Sequence, residues 1–379
     1  MESRRCPYRV AEWPSTCTSA PLGILTGLPV HSRIALPIPF ANSVILTAFL
    51  AAISLGSAPL TTNASAFATA SFQTSRTDST PAHKAHKKSS KRSKATHPLN
   101  DTTASKKGAP EPAFTVAPLP NAILPKKRIV VYYGNPLSKR MGVLGEYPEA
   151  VMVAKLQQEV HSFEVADPAT PVIPGFHLIV SVAQGAPGKN GMYRLRMTDS
   201  LIDHWCKLAE SKGYLIFLDV QVGKSSVQAE LQPLMPYLKR PYVHLALDPE
   251  FSMHHGSEGV VPGRKVGVMD AAEINYAIKT LADIVSQNKL PPKILVVHRY
   301  TQKMVTNYRE IRPVPAVQFV MNMDGFGQPW LKRDSYDAYE RMQPVQYYGF
   351  KLFYKNDKPM LTREQVVKLK PSPLFITFQ

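Results

Sequence analysis

A chain of 379 residues that is 44% hydrophobic and 19% charged has enough apolar material for a large core, so a wholly disordered protein is excluded. Its formal net charge of +17 looks like a nucleic-acid signature until it is divided: residues 1–127 hold 15 Lys or Arg against 5 Asp or Glu, the rest 30 against 23. Three cysteines, Cys6, Cys17 and Cys206, with no Cys/His zinc spacing, exclude a disulfide framework and a zinc-finger type of fold.

Residues 1–66 read as a signal or signal-anchor region. The apolar run 43–60 follows Arg33 and precedes the small-residue patterns Ala64-Ser65-Ala66 and Ala68-Thr69-Ala70, which resemble export-signal cleavage sites. The chain is therefore expected to be secreted or anchored at the cell surface, with the membrane touched only through this segment. Residues 67–127 form a Ser/Thr/Pro/Lys-rich linker that buries too little apolar surface to offset its ordering entropy and is expected to be disordered. Its basic run from Lys84 to Lys94 suits anionic envelope polymers. No aromatic residues interleave with the lysines, so stacking on single-stranded nucleic acid is not expected and no specific nucleic-acid partner is assigned.

From residue 128 onward, apolar β-rich runs alternate with helical periodicity. Strands are predicted at 129–133, 177–182, 214–220, 242–247, 294–298, 317–323, 348–354 and 374–378. Nearly all are continuously apolar, as parallel strands covered on both faces must be. The clearest helix runs from Asp270 to about 287, with Glu273 completing a capping box and Ile274, Ala277, Ile278, Leu281, Ile284 and Val285 on one face. Leu201, Ile202, Trp205, Leu208 and Ala209 make a second such face, with Cys206 as core packing. Eight strands in βα alternation, without a glycine-rich dinucleotide loop after the first, predict an α/β fold, a (β/α)8 TIM-type barrel over 128–379.

In such a barrel the chemistry collects where strands end. The third strand ends Asp219-Val220-Gln221, the fourth Asp248-Pro249-Glu250, the fifth His298-Arg299-Tyr300, and the sixth Asn322-Met323-Asp324. Asp248 and Glu250 stand two residues apart, which in an extended strand puts both on one face looking into the mouth. Two carboxylates in one partly dry site push their pKa values apart, so that one stays protonated while the other stays charged. Their alternative employment is structural: capping, or pairing with Arg264, Arg299 or Lys351. Asp219, Glu250 and His298, with His254 and His255 nearby, also allow a divalent-cation site for lyase or phosphodiester chemistry. The segment 185–191 reads as a flexible rim loop, and Tyr132, Tyr133, Tyr193, Phe251, Phe326 and Trp330 are candidate stacking surfaces.

Asp248-Pro249-Glu250, Met321-Asn322-Met323-Asp324 and Ser181-Val182-Ala183-Gln184-Gly185 resemble, in kind and order, the motifs of the chitinase and endo-N-acetylglucosaminidase group of glycoside hydrolases. The resemblance implies a hydrolase acting on an amino-sugar-containing polysaccharide. Glu250 would be the general acid/base, Asp248 would orient the substrate's own acetamido group as nucleophile, and Asp324 would hold the sugar. Asp219, Gln221, His298, Tyr133 and Tyr300 would contribute to substrate binding; no cofactor and no resident metal are implied. The chain departs from the group at Val243 and Ala246, where further acids stand, and at Met323, where a tyrosine stands; Tyr300 or Tyr354 is the candidate substitute. A barrel that binds polysaccharide without cleaving it is the alternative those departures suggest, beside the metal-dependent one.

Overall fold

The structure, a computed structural model, describes residues 116–338 and 343–379. The apolar run 43–60 and the basic run 84–94 lie outside the described residues, as does most of the linker. No helix among the described residues is long and apolar enough to cross a membrane.

The continuously apolar runs become eight parallel strands: β1 Arg128–Gly134, β2 Val172–Ala183, β3 Leu215–Val220, β4 Val243–Leu247, β5 Lys293–Arg299, β6 Val317–Met323, β7 Tyr347–Leu352 and β8 Phe375–Phe378. Each pairs with its sequence neighbour, and β1 pairs with both β2 and β8, so the sheet closes on itself as a barrel. This is the TIM-type fold expected from the sequence. Closure leaves no barrel edge, and the long helices cover the outside. These include α1 Glu149–Ala166, α2 Asp199–Lys212 and α3 Ala271–Asn288.

The helix α3 starts where the capping box predicts. The Asp270 carboxylate accepts from the Ala272 N–H at 3.0 Å, and Glu273 reaches back to the Asp270 N–H at 3.0 Å. It ends at Lys289, whose φ of 52° is left-handed. The predicted stripe from Ile274 to Val285 is buried. On α2, Ile202, Trp205, Cys206 and Ala209 are buried, while Leu201 and Leu208 pack at the margin.

Inside the barrel, alternate residues face the axis. The lower layers are mostly apolar and include Val131, Leu215, Phe217, Ala246, Val296, Val320 and Phe375, with His244 and Gln318 buried among them. The lower end is closed by chain upstream of residue 128, the boundary expected from the sequence. Gln318 accepts from the Ile123 N–H at 3.0 Å and donates to the Leu124 carbonyl at 2.7 Å, which seats Leu124 against the inner core. A short strand, Arg194–Arg196, lies antiparallel on β2. It brings Arg194 and Arg196 onto Glu230, each at 2.8 Å.

Candidate active site

At the upper end the inward positions change character. Tyr133 of β1, His177 of β2, Asp219 of β3, His298 of β5, Asn322 of β6, Lys351 of β7 and Thr377 of β8 are all buried. A polar layer therefore lies between the apolar barrel core and the rim, at the end where barrel chemistry sits.

Asp248 and Glu250 do not both lie on the strand, because β4 ends at Leu247 and Pro249–Phe251 forms a 3-10 turn. Proline cannot continue the β-ladder, and the Asp248 carboxylate caps the turn by accepting from the Glu250 N–H at 3.1 Å. Its other oxygen accepts from the Gln221 amide at 3.2 Å, and the Gln221 carbonyl oxygen accepts from the Ala183 N–H at 3.0 Å. Asp248 is thus buried behind Glu250, and the capping role weighed from the sequence is part of what it does. Burial, reinforced by Glu250, Asp219 and Asp324, pushes its pKa well above the carboxylate range.

Glu250 itself is half-buried and hydrogen-bonded to Tyr300. Burial and then the charge of Asp324 raise its pKa to about 7. Asp324 follows β6 directly, its N–H donating to the Arg299 carbonyl at 2.8 Å. Burial would raise its pKa, but Lys351 at 2.8 Å and His298 at 3.0 Å outweigh that and hold it at about 2. Lys351 also sits 3.7 Å from the Tyr133 ring centroid, a cation–π contact. Behind it, the buried Lys332 donates to the Lys351 carbonyl at 2.6 Å and to Asp357 at 2.8 Å.

Below this pair lies a second constellation, in which His177 joins Asp219 and His298, two of the residues weighed from the sequence for a divalent-cation site. His177 Nε2 is 3.2 Å from His298 Nε2, and Asp219 Oδ1 is 3.9 and 3.8 Å from the same two nitrogens. All three side chains are fully buried. Burial depresses His177 to about 4. His298 is raised, because Asp219 and Asp324 outweigh its burial; Asp219 is lowered, because His298 and His177 outweigh its own. Among the described residues these three are the group whose ligand atoms stand close enough together to hold a cation, and Glu250 is not part of it.

The residues expected to bind substrate divide by depth. Glu250, Tyr300 and Asp324 reach the mouth, while Asp219, Gln221, His298 and Tyr133 are at most 5% exposed and lie beneath it. Tyr354 is outside the barrel, its hydroxyl bonded to Tyr132 at 3.1 Å and Glu159 at 2.6 Å, so it has no part in the site. His254 bonds the Ser225 carbonyl and His255 bonds Glu273, so neither joins the cation group. His177 went unremarked in the sequence. The available clue was an ionisable residue inside an otherwise apolar strand, at a position of inward parity.

No protein-family model matches the chain, and no curated protein matches it. Among solved structures it is similar to the crystal structure of a GH26-CBM35 β-(1,4)-mannanase from Podospora anserina, with 10% identity and a TM-score of 0.31. That likeness covers 66% of this chain and 56% of the mannanase chain.

Proposed function

We propose that this protein is a secreted or surface-displayed glycoside hydrolase that cleaves an amino-sugar-containing polysaccharide, with Glu250 as general acid/base. The observation that carries the reading is the separation of two carboxylates at one barrel mouth: Glu250 is lifted to about 7 and Asp324 is held at about 2. Such a pair divides the labour of acid-assisted bond cleavage, one member arriving protonated and the other charged. The amino-sugar substrate rests on the motif resemblance, and the export on the N-terminal apolar run.

In this mechanism Glu250 donates its proton to the glycosidic oxygen as the C1–O bond breaks, and the acetamido oxygen of the same sugar bonds to C1. Water then attacks C1, returning a proton to Glu250 and reopening the acetamido ring. Asp324, anchored by Lys351 and His298, faces the positive charge that develops on the sugar. Tyr300 orients the Glu250 carboxyl, and Asp248 fixes the turn that carries it. Asp219 is too deep to serve as the base of an inverting reaction.

The test is hydrolysis of chromogenic N-acetylglucosaminides and wall glycans by the full chain beside Glu250→Gln. Turnover should fall by about 10²-fold or more in the variant. Cleavage that survives Glu250→Gln would sink the assignment. Glycan binding without cleavage by either protein would favour the non-catalytic barrel.

A further inference from the structure

We propose that His177, Asp219 and His298 form a zinc-class cation site inside the barrel, one layer beneath the mouth. The three facing atoms make a triangle with sides of 3.2, 3.8 and 3.9 Å. The nearest equidistant point, in the plane of the three atoms, lies about 2.1 Å from each, the usual length of a zinc bond to imidazole nitrogen or carboxylate oxygen.

Asp219 is fully buried, yet neither carboxylate oxygen has a hydrogen-bond partner, and the imidazole nitrogens at 3.8 and 3.9 Å are out of reach. A buried carboxylate without hydrogen bonds is costly even beside two imidazoles. A cation at the equidistant point compensates it directly.

The layer around the ligands supports them. Asp324 lies 3.0 Å from His298 Nδ1, so a carboxylate holds the far nitrogen of the ring while Nε2 faces His177 and Asp219. A carboxylate holding the far nitrogen of a metal-bound imidazole is the usual support of such sites. The Tyr133 ring, its centroid 5.1 Å from that of His177 and 5.8 Å from that of His298, walls off one side.

The donor set chooses the ion. Two imidazoles and one carboxylate disfavour calcium and magnesium, which take oxygen ligands. A facial set on an octahedral iron would need all three edges near about 3.0 Å for bonds of about 2.1 Å. A tetrahedral zinc with the same bonds needs edges of about 3.4 Å, nearer to the observed 3.2, 3.8 and 3.9 Å, and is reached when the Asp219 oxygen draws in by a few tenths of an ångström.

The experiment uses the full chain stripped by chelator, titrated with zinc chloride in a calorimeter, with bound metal counted after dialysis. One equivalent should remain bound, and Asp219→Asn or His177→Gln should weaken binding about 100-fold or more. Glu250→Gln should bind zinc like the parent, so failure of the hydrolase reading and failure of this one are distinguishable. Zinc held by His83 and His86 instead would survive Asp219→Asn and vanish in a His83→Ala/His86→Ala protein, which overturns the proposal. Should the ligand variants not fold, cobalt(II) added to the parent decides. An intense visible band of a four- or five-coordinate ion supports the site, and a weak six-coordinate spectrum overturns it.

Discussion

Glu250 and Asp324 are both carboxylates just past the end of a barrel strand, and the barrel treats them oppositely. Asp324 has Lys351 and His298 as direct partners; Glu250 has burial, a tyrosine and the negative charge of Asp324. The consequence for stability follows from the direction of the Glu250 shift. Its folded pKa of about 7 exceeds the ordinary 4.5, so the folded chain holds this proton more tightly than the unfolded chain does. The penalty for ionising it is absent below about pH 4.5, grows between 4.5 and 7, and is complete above 7. Glu250→Gln should therefore stabilise the protein at pH 8 by about 2 to 3 kcal/mol, allowing for partial exposure, and by nothing at pH 4. Denaturant unfolding of both proteins at the two pH values checks this, and equal stabilities at pH 8 would refute it. In activity, the rate should fall as pH rises through about 7. Asp324→Asn, which removes the charge that helps lift Glu250, should move that limb to lower pH. Of these residues, Glu250, Asp248, Asp324 and His298 were legible because strand ends are where a barrel puts its chemistry. The depth of each was not legible, since periodicity gives the direction of a side chain and says nothing of what lies above it. His177 was hidden inside an apolar run, and its partners lie more than 40 residues away in sequence.

At the scale of the element, the eight strands could be read closely because parallel strands with both faces covered must be apolar throughout, and the turn residues between them interrupt that pattern. Two departures have local causes. The fourth strand stops before Asp248-Pro249-Glu250, since the proline and the Asp248 cap turn the chain, and so the same-face argument for Asp248 and Glu250 does not hold. The seventh strand begins at Tyr347 and ends at Leu352, leaving Phe353 and Tyr354 to the loop. Within that strand Gly349 is set by its neighbour. A β-carbon there would stand 2.4 Å from Asn322 Oδ1 and 3.1 Å from Asn322 Cβ. Asn322 in turn lies 3.4 Å from His298 Nδ1 and 3.5 Å from Thr377. Gly349→Ala should therefore overpack the polar layer and cost about 1 to 3 kcal/mol. Paired with Asn322→Ala, it should recover part of that loss, because the clash is with the amide. A double-mutant cycle in urea measures the coupling, and additive effects would show that the contact is not the cause.

For the whole molecule, charge is distributed unevenly in a way that a single net value conceals. The first 127 residues carry a net +10 on one third of the chain, and the barrel region carries +7 on twice the length. Lys84, Lys87, Lys88, Lys91, Arg92 and Lys94 supply six of those charges within eleven residues. Attraction to a polyanion by such a run is a matter of counterion release and screening, needing no particular fold in the run itself. The full chain should therefore bind an anionic wall polymer with an affinity that drops steeply between about 50 and 200 mM salt. Replacing the six residues with glutamine should flatten that salt dependence and weaken binding at low salt. It should leave the melting temperature of the barrel and its turnover of small chromogenic substrates unchanged, because all six precede the described barrel residues. Affinity for a neutral glycan should be indifferent to the same change. If the glutamine protein kept the parent's salt slope, the polyanion contact would have to be reassigned to the barrel's own basic residues.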